Sequence, residues 1–175
     1  MNAPDPSSSS EQWFLEAYEK YADAIFRHCA LRLSDREAGK ELMQETFIRV
    51  WESVGRGTKV ENCRAFLYKV ANNLIIDIAR RRKLRTQDSL ETLHEAGFDL
   101  PDKEPGPARQ VEAALAMECM RKLDEPYKSV LVLRFVDGLP PSDIADILGE
   151  SQNVISVRIH RGLKQLEDAI NPSHD

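Results

Sequence analysis

The sequence predicts an all-α protein of two small helical domains joined by a flexible acidic linker, with a helix-turn-helix in the C-terminal domain. Three observations carry that prediction: apolar residues recur at helical spacing in two separate stretches, no segment alternates as a strand would, and Gly, Pro and acidic residues interrupt the periodicity between them. With 42% of its 175 residues apolar, the chain can bury one core or two small ones.

Residues 1–10 are polar and Pro/Ser-rich, with neither a basic start nor an apolar stretch, and read as a disordered tail and not a signal peptide. Trp13, Phe14, Ala17, Tyr18, Tyr21, Ile25 and Cys29 then predict a first helix over about 11–33. Ser34 to Glu37 fits a capping box, so a second helix is expected to start there and to bury Leu42, Phe47, Val50, Trp51 and Val54 before Gly55 and Gly57 stop it. Leu67, Val70, Ala71, Leu74, Ile75 and Ile78 make the stripe of a third. Three single-striped helices can bury those stripes only against each other, which predicts a domain over 11–85. Residues 86–107 form the linker. Helical spacing resumes at Val111, Leu115, Cys119 and Leu123 in a second domain over 108–171, where Pro126 suits the first turn of a further helix.

Several function classes are excluded early. No apolar run approaches the roughly 20 residues of a membrane span. Cys29, Cys63 and Cys119 are odd in number and widely spaced, which argues against a disulfide framework or a zinc site and for a reducing cytoplasm. There is no phosphate-binding Gly loop, and His28, His94, His160 and His174 form no nucleophile-base arrangement; neither cofactor nor metal is expected. Glu91 and His94 have the Glu-x-x-His spacing of metal-carboxylate bundles, but only one such pair occurs and it falls in the linker.

A net charge of -5 looks wrong for a nucleic-acid binder, yet its distribution is uneven. Arg64, Lys69, Arg80, Arg81, Arg82, Lys83 and Arg85 face Asp77 as the single acid of their stretch, and residues 151–166 carry Arg158, Arg161 and Lys164 with no acid. Asp88, Glu91, Glu95, Asp99, Asp102 and Glu104 crowd the linker between. Two basic islands separated by acid suit two DNA contacts on one chain.

The stretch 142–166 has helix-turn-helix spacing: small Ala145 where helices cross, Gly149 where the turn needs positive φ, and Ile155 where the second helix anchors. Ser151 is the expected N-cap, and Ile155, Ile159, either Gly162 or Leu163, and Leu166 the inward face. Gln152, Asn153, Ser156, Val157 and Arg158 would then meet base edges, with His160, Arg161 and Lys164 nearer phosphates. An ordinary helical hairpin with a solvated basic face would share this spacing, though a merely solvated helix usually mixes signs.

The segment Glu41-Leu-Met-Gln-Glu-Thr-Phe-Ile-Arg-Val-Trp51, followed by Arg64-Ala-Phe-Leu-Tyr-Lys-Val-Ala-Asn-Asn-Leu-Ile-Ile-Asp77-Ile-Ala-Arg-Arg-Arg, resembles the second conserved region of bacterial RNA polymerase sigma factors of the extracytoplasmic-function (ECF) type. Leu123 to Leu139, continuing through Ile144-Ala-Asp-Ile-Leu-Gly149 to Arg158-Ile-His-Arg161, resembles their fourth region. The resemblance implies a factor that recruits core RNA polymerase to promoter DNA, directs melting and initiation for a stress- or signal-responsive regulon, and catalyses nothing itself. It places polymerase contacts at Glu41, Gln44, Glu45, Ile48 and Arg49. It places minus-ten contacts to a melted strand at Asn72, Asn73, Asp77, Arg80 and Arg81, with Lys59, Asn62 and Arg64 in or beside the preceding loop, and minus-35 contacts on the recognition helix. An anti-sigma partner is implied by analogy with the family. Lys40-Glu41 stands where Glu-Asp is common, Pro140-Pro141 where Ser-aromatic is usual, and Ser156-Val157 where Lys-Ser is usual, which leaves the promoter sequence open. A plain helix-turn-helix regulator would account for 125–166 but leave the earlier blocks as coincidence.

Overall fold

The computed structural model describes residues 10–86, 115–120 and 122–170, and every regular element among them is helical. They are α1 (Ser10–Leu33), α2 (Arg36–Gly55), α3 (Cys63–Thr86), α4 (115–120), α5 (Tyr127–Leu131) with a π-helical turn at Val132–Val136, α6 (Pro141–Leu148) and α7 (Gln152–Ile170). The expected tail and linker, with Glu91 and His94, lie outside the described residues, except that Ser10 and Thr86 are already helical. The chain divides into two compact units, the first built on residues up to 96 and the second on most of the remainder.

In the first unit α1 and α2 form a hairpin with Ser34 and Asp35 between them. Here the expected capping box moves by one residue. Ser34 takes φ +53° and closes α1, its N–H bonding Leu31 O at 3.3 Å while Asp35 N–H reaches back to Ala30 O at 3.2 Å. With Ser34 used as the left-handed terminator, the N-cap falls to Asp35, whose carboxylate accepts from Ala38 N–H at 3.0 Å. Immediately beyond, the helix backbones touch: a Cβ on Gly39 would stand 2.5 Å from Ala30 Cα and 2.6 Å from its N.

Trp13, Ala17, Ile25, Cys29, Leu42, Phe47, Val50, Val54, Leu67, Ala71, Leu74 and Ile75 are buried as their spacing predicts. Trp51 is 38% exposed, because it lies across Phe14 at the rim (5.1 Å between ring centres) and not beneath it. Phe14 and Tyr18 of α1 also meet Phe47 edge-on at 6.0 and 4.9 Å. The core further takes Tyr68 and His28, whose rings meet edge-on at 5.2 Å, and Thr46, whose hydroxyl donates to Leu42 O at 2.7 Å.

In the second unit Gly162 of α7 faces α5, where a Cβ would lie 3.2 Å from Leu131 Cγ and 3.3 Å from Tyr127 Cβ. Gly162 is therefore the inward residue and Leu163 points out. Val130 to Leu133, Leu139, Ile144 and Ile155 are buried. Asp137 N–H bonds Val132 O across the π turn, and Arg134 Nη1 donates to Leu139 O at 3.1 Å, holding the chain as it leaves the helix.

Gly39→Ala is expected to destabilise the protein by about 1–3 kcal/mol, since neither backbone can yield without separating α1 from α2. Gly55→Ala, with nothing within 4 Å, is expected to leave stability unchanged or raise it. Urea denaturation midpoints at constant slope measure both.

Candidate functional site

On α2, helical spacing turns Leu42, Met43, Thr46, Phe47 and Val50 inward, which leaves Glu41, Gln44, Ile48 and Arg49 exposed and Glu45 half-buried. Ile48 is 52% exposed, an aliphatic side chain among charges. Glu45 pairs with Arg49 at 2.8 Å and Glu52 with Arg56 at 3.7 Å, so this face carries its own alternating charges. Between α2 and α3 runs an open groove of about 510 Å³, lined by Glu45, Ile48, Arg49, Glu52, Ser53 and Arg56 on one side and Val70 and Asn73 on the other. Three of the five expected polymerase contacts, Glu45, Ile48 and Arg49, and one expected base contact, Asn73, line this one depression, whereas Glu41 and Gln44 do not.

Along α3 the expected minus-ten residues separate into two groups. Asn73, Arg80 and Arg81 are exposed and Asp77 half-buried. Their spacing puts all of them on one stripe, and Arg82 beside them is exposed as well. Amide and carboxylate groups followed by guanidinium groups can hydrogen-bond base edges and neutralise phosphates along a single strand.

Asn72 does not belong to that stripe. It is 1% exposed, and its Oδ1 accepts from Arg32 Nη1 of α1 at 3.3 Å. The amide braces the helix packing and cannot reach a base; this corrects its expected role. Asn62 is exposed but also structural, its Oδ1 accepting from Ala65 N–H at 3.0 Å as α3 begins. Lys59 is exposed in the loop, while Arg64 is half-buried and lies over the Tyr68 ring at 6.0 Å.

At the turn after α6, Gly149 takes φ +67° and Glu150 N–H bonds Ala145 O at 3.0 Å, ending α6 as the sequence requires. Ser151 Oγ then accepts from Val154 N–H at 3.3 Å, opening α7. Ile155 and Gly162 are buried and Ile159 and Leu166 half-buried, so Gln152, Asn153, Ser156, Val157, His160, Arg161 and Lys164 are exposed. Arg158 differs from expectation. It is half-buried, with Nη2 at 2.7 Å from Glu150 Oε1, tied back across the turn. Sequence spacing cannot show this pair, because its two members lie on opposite sides of the helix start.

All three cysteines are buried, and none is in a disulfide. Burial pushes the Cys63 thiol up from 9.0 to about 11, which makes it a poor nucleophile. Among the described residues no group of three or more His, Cys, Asp or Glu side chains could hold a metal ion, and no helix is long and apolar enough to cross a membrane.

Asn72→Ala is expected to cost about 1–3 kcal/mol by removing a buried acceptor from Arg32, while Asn73→Ala leaves stability within about 0.5 kcal/mol. Thermal or urea unfolding distinguishes them. Because the folded-state value of Cys63 lies above the unfolded one, its thiol favours folding fully below about pH 9. That contribution fades as pH rises toward about 11. Unfolding midpoints from pH 8 to 11, compared between the native chain and Cys63→Ser, should decline more steeply with Cys63 present.

Residues 17–85 match the Sigma-70 region 2 family, and residues 113–166 match Sigma-70, region 4. The chain is 31% identical over 159 residues to the ECF RNA polymerase sigma factor SigE of Mycolicibacterium smegmatis, covering 87% of this chain and 60% of that protein. It is 26% identical over 167 residues to the ECF sigma factor SigW of Bacillus subtilis, covering 89% of each. The fold is similar to that of the sigma factor RpoE of Bartonella quintana, solved with the anti-sigma factor NepR. That likeness has TM-score 0.78 at 18% identity and covers 93% of this chain and 99% of the other. The sigma factor family is not an enzyme class. With both sigma-70 regions present in order and ECF factors among its relatives, the chain belongs to the ECF-type sigma factors of RNA polymerase.

Proposed function

We propose that this chain binds core RNA polymerase in the bacterial cytoplasm and directs promoter recognition, melting and initiation for a stress- or signal-responsive regulon, catalysing no reaction of its own. Residues 11–85 would bind polymerase and the minus-ten strand, 108–171 the minus-35 duplex, and 86–107 link them. The observation that carries this reading is the juxtaposition on the first unit: a groove with exposed Ile48 and alternating charge, bordered by Asn73 on the stripe that runs through Asp77 to Arg80 and Arg81. A regulator that only bound duplex DNA would have no use for that combination. An anti-sigma protein is the expected inhibitor, as NepR is seen with the similarly folded RpoE.

Run-off transcription with purified core polymerase on promoter fragments enriched from genomic DNA tests the proposal. Added protein should yield a specific transcript. Ile48→Glu should abolish core binding in a pull-down while leaving the fold intact, because the side chain is exposed. Arg80→Ala with Arg81→Ala should leave core binding and lower open-complex formation at least about tenfold, with a shallower salt dependence. A chain that neither binds core polymerase nor starts a transcript on any enriched fragment would be a plain helix-turn-helix regulator or something else.

A further inference from the structure

The recognition helix carries its core contacts on Ile155 and Gly162, with Ile159 and Leu166 half-buried along the same stripe. An α-helix turns roughly 100° per residue, so the direction opposite that stripe runs along Asn153, Val157, Arg161 and Lys164, all exposed. Val157 occupies the middle of this line, 41% exposed, with Asn153 a turn before it and Arg161 a turn after. Arg158 lies off this line by helix geometry, and its 2.7 Å bond to Glu150 makes it a positioning residue that ties α7 to the turn before it. Ser156 has turned its hydroxyl onto Gln152 O at 2.9 Å, which uses its one proton.

The centre of the outward face is therefore a branched hydrocarbon, set in a helix half with no acid to repel DNA. Among base edges in the major groove, the one apolar feature is the thymine 5-methyl group. Resting on the promoter-reading role proposed above, we infer that Val157 packs on a thymine methyl in the minus-35 element. Asn153 then bonds an adjacent base edge, and Arg161 and Lys164 hold phosphates. The chemistry recognised is a thymine at one fixed step, in place of the hydrogen-bonded contact a polar side chain would make there.

The test uses holoenzyme reconstituted from the full chain and core polymerase on an enriched promoter, with each thymine of the upstream element replaced in turn by uracil, which removes only the methyl. One substitution should weaken wild-type promoter binding about fourfold, the loss of one buried methyl at about 0.8 kcal/mol. Val157→Ala holoenzyme should bind thymine and uracil promoters alike at that step, while Val157→Ile keeps the preference. If uracil has no effect at any step, or the same effect with alanine at 157, the Val157 inference is overturned while the sigma role stands. If no fragment is enriched and no transcript appears, both fall together.

Discussion

The contact on which the first unit depends is the backbone crossing of α1 and α2 at Ala30 and Gly39. With 2.5 Å between Ala30 Cα and any Cβ at Gly39, no side chain fits between the two helices at this end. At the other end of the hairpin the space is filled by the rings of Phe14, Tyr18, Phe47 and Trp51. Small residues at one end and large ones at the other make a wedge, and a wedge has one register. Arg32, two residues beyond Ala30, then spans to Asn72 and fixes the rotation of α3. Because Asn72 faces inward, Asn73 must face out, toward the groove against α2.

Most of the helical architecture was legible, because burial in a small bundle forces a 3.6-residue period that apolar residues record directly. The turn before α7 was legible too: Gly149 and Ser151 act through their own backbone and nearest neighbours. What stayed hidden depends on partners far away in sequence. Asn72 and Asn73 are chemically identical neighbours, and it is Arg32, forty residues earlier, that makes the first a brace, while the second is exposed. Arg158 looked like a reading residue by position, but Glu150 claims it. Ser34 looked like a cap because serine suits one; that it would instead supply the left-handed residue, with Asp35 ready to cap next, is a competition between adjacent good solutions.

Charge is placed so that the net value misleads. On α2 the Glu45–Arg49 and Glu52–Arg56 pairs are exposed, and such pairs are worth only about 0.3–0.5 kcal/mol each to a helix. They can exchange partners at small cost, which would suit the polymerase-binding role proposed for this face. On α3 the basic run at Arg80 to Arg82 lies in the C-terminal half of the helix, a direction the backbone dipole favours. Folding thus supports the same arginines that phosphate binding would use.

Melting DNA sets a sharper demand than binding it, because unstacking a base costs a few kcal/mol that only contacts made afterwards can offset. A purely basic helix would bind duplex and single strand through the same phosphates and gain little from separating them. Asp77 breaks that symmetry. Its carboxylate, half-buried on the stripe between Asn73 and Arg80, repels backbone phosphate but can accept from the amino groups of an unpaired base. Asn73 adds a donor and an acceptor matched to the Watson–Crick edge, which a duplex keeps occupied. In the minus-ten role proposed for it, the stripe would discriminate by withholding affinity from closed DNA as well as by offering it to open DNA. Under that proposal the balance would give Asp77 its use at this point of an otherwise basic helix.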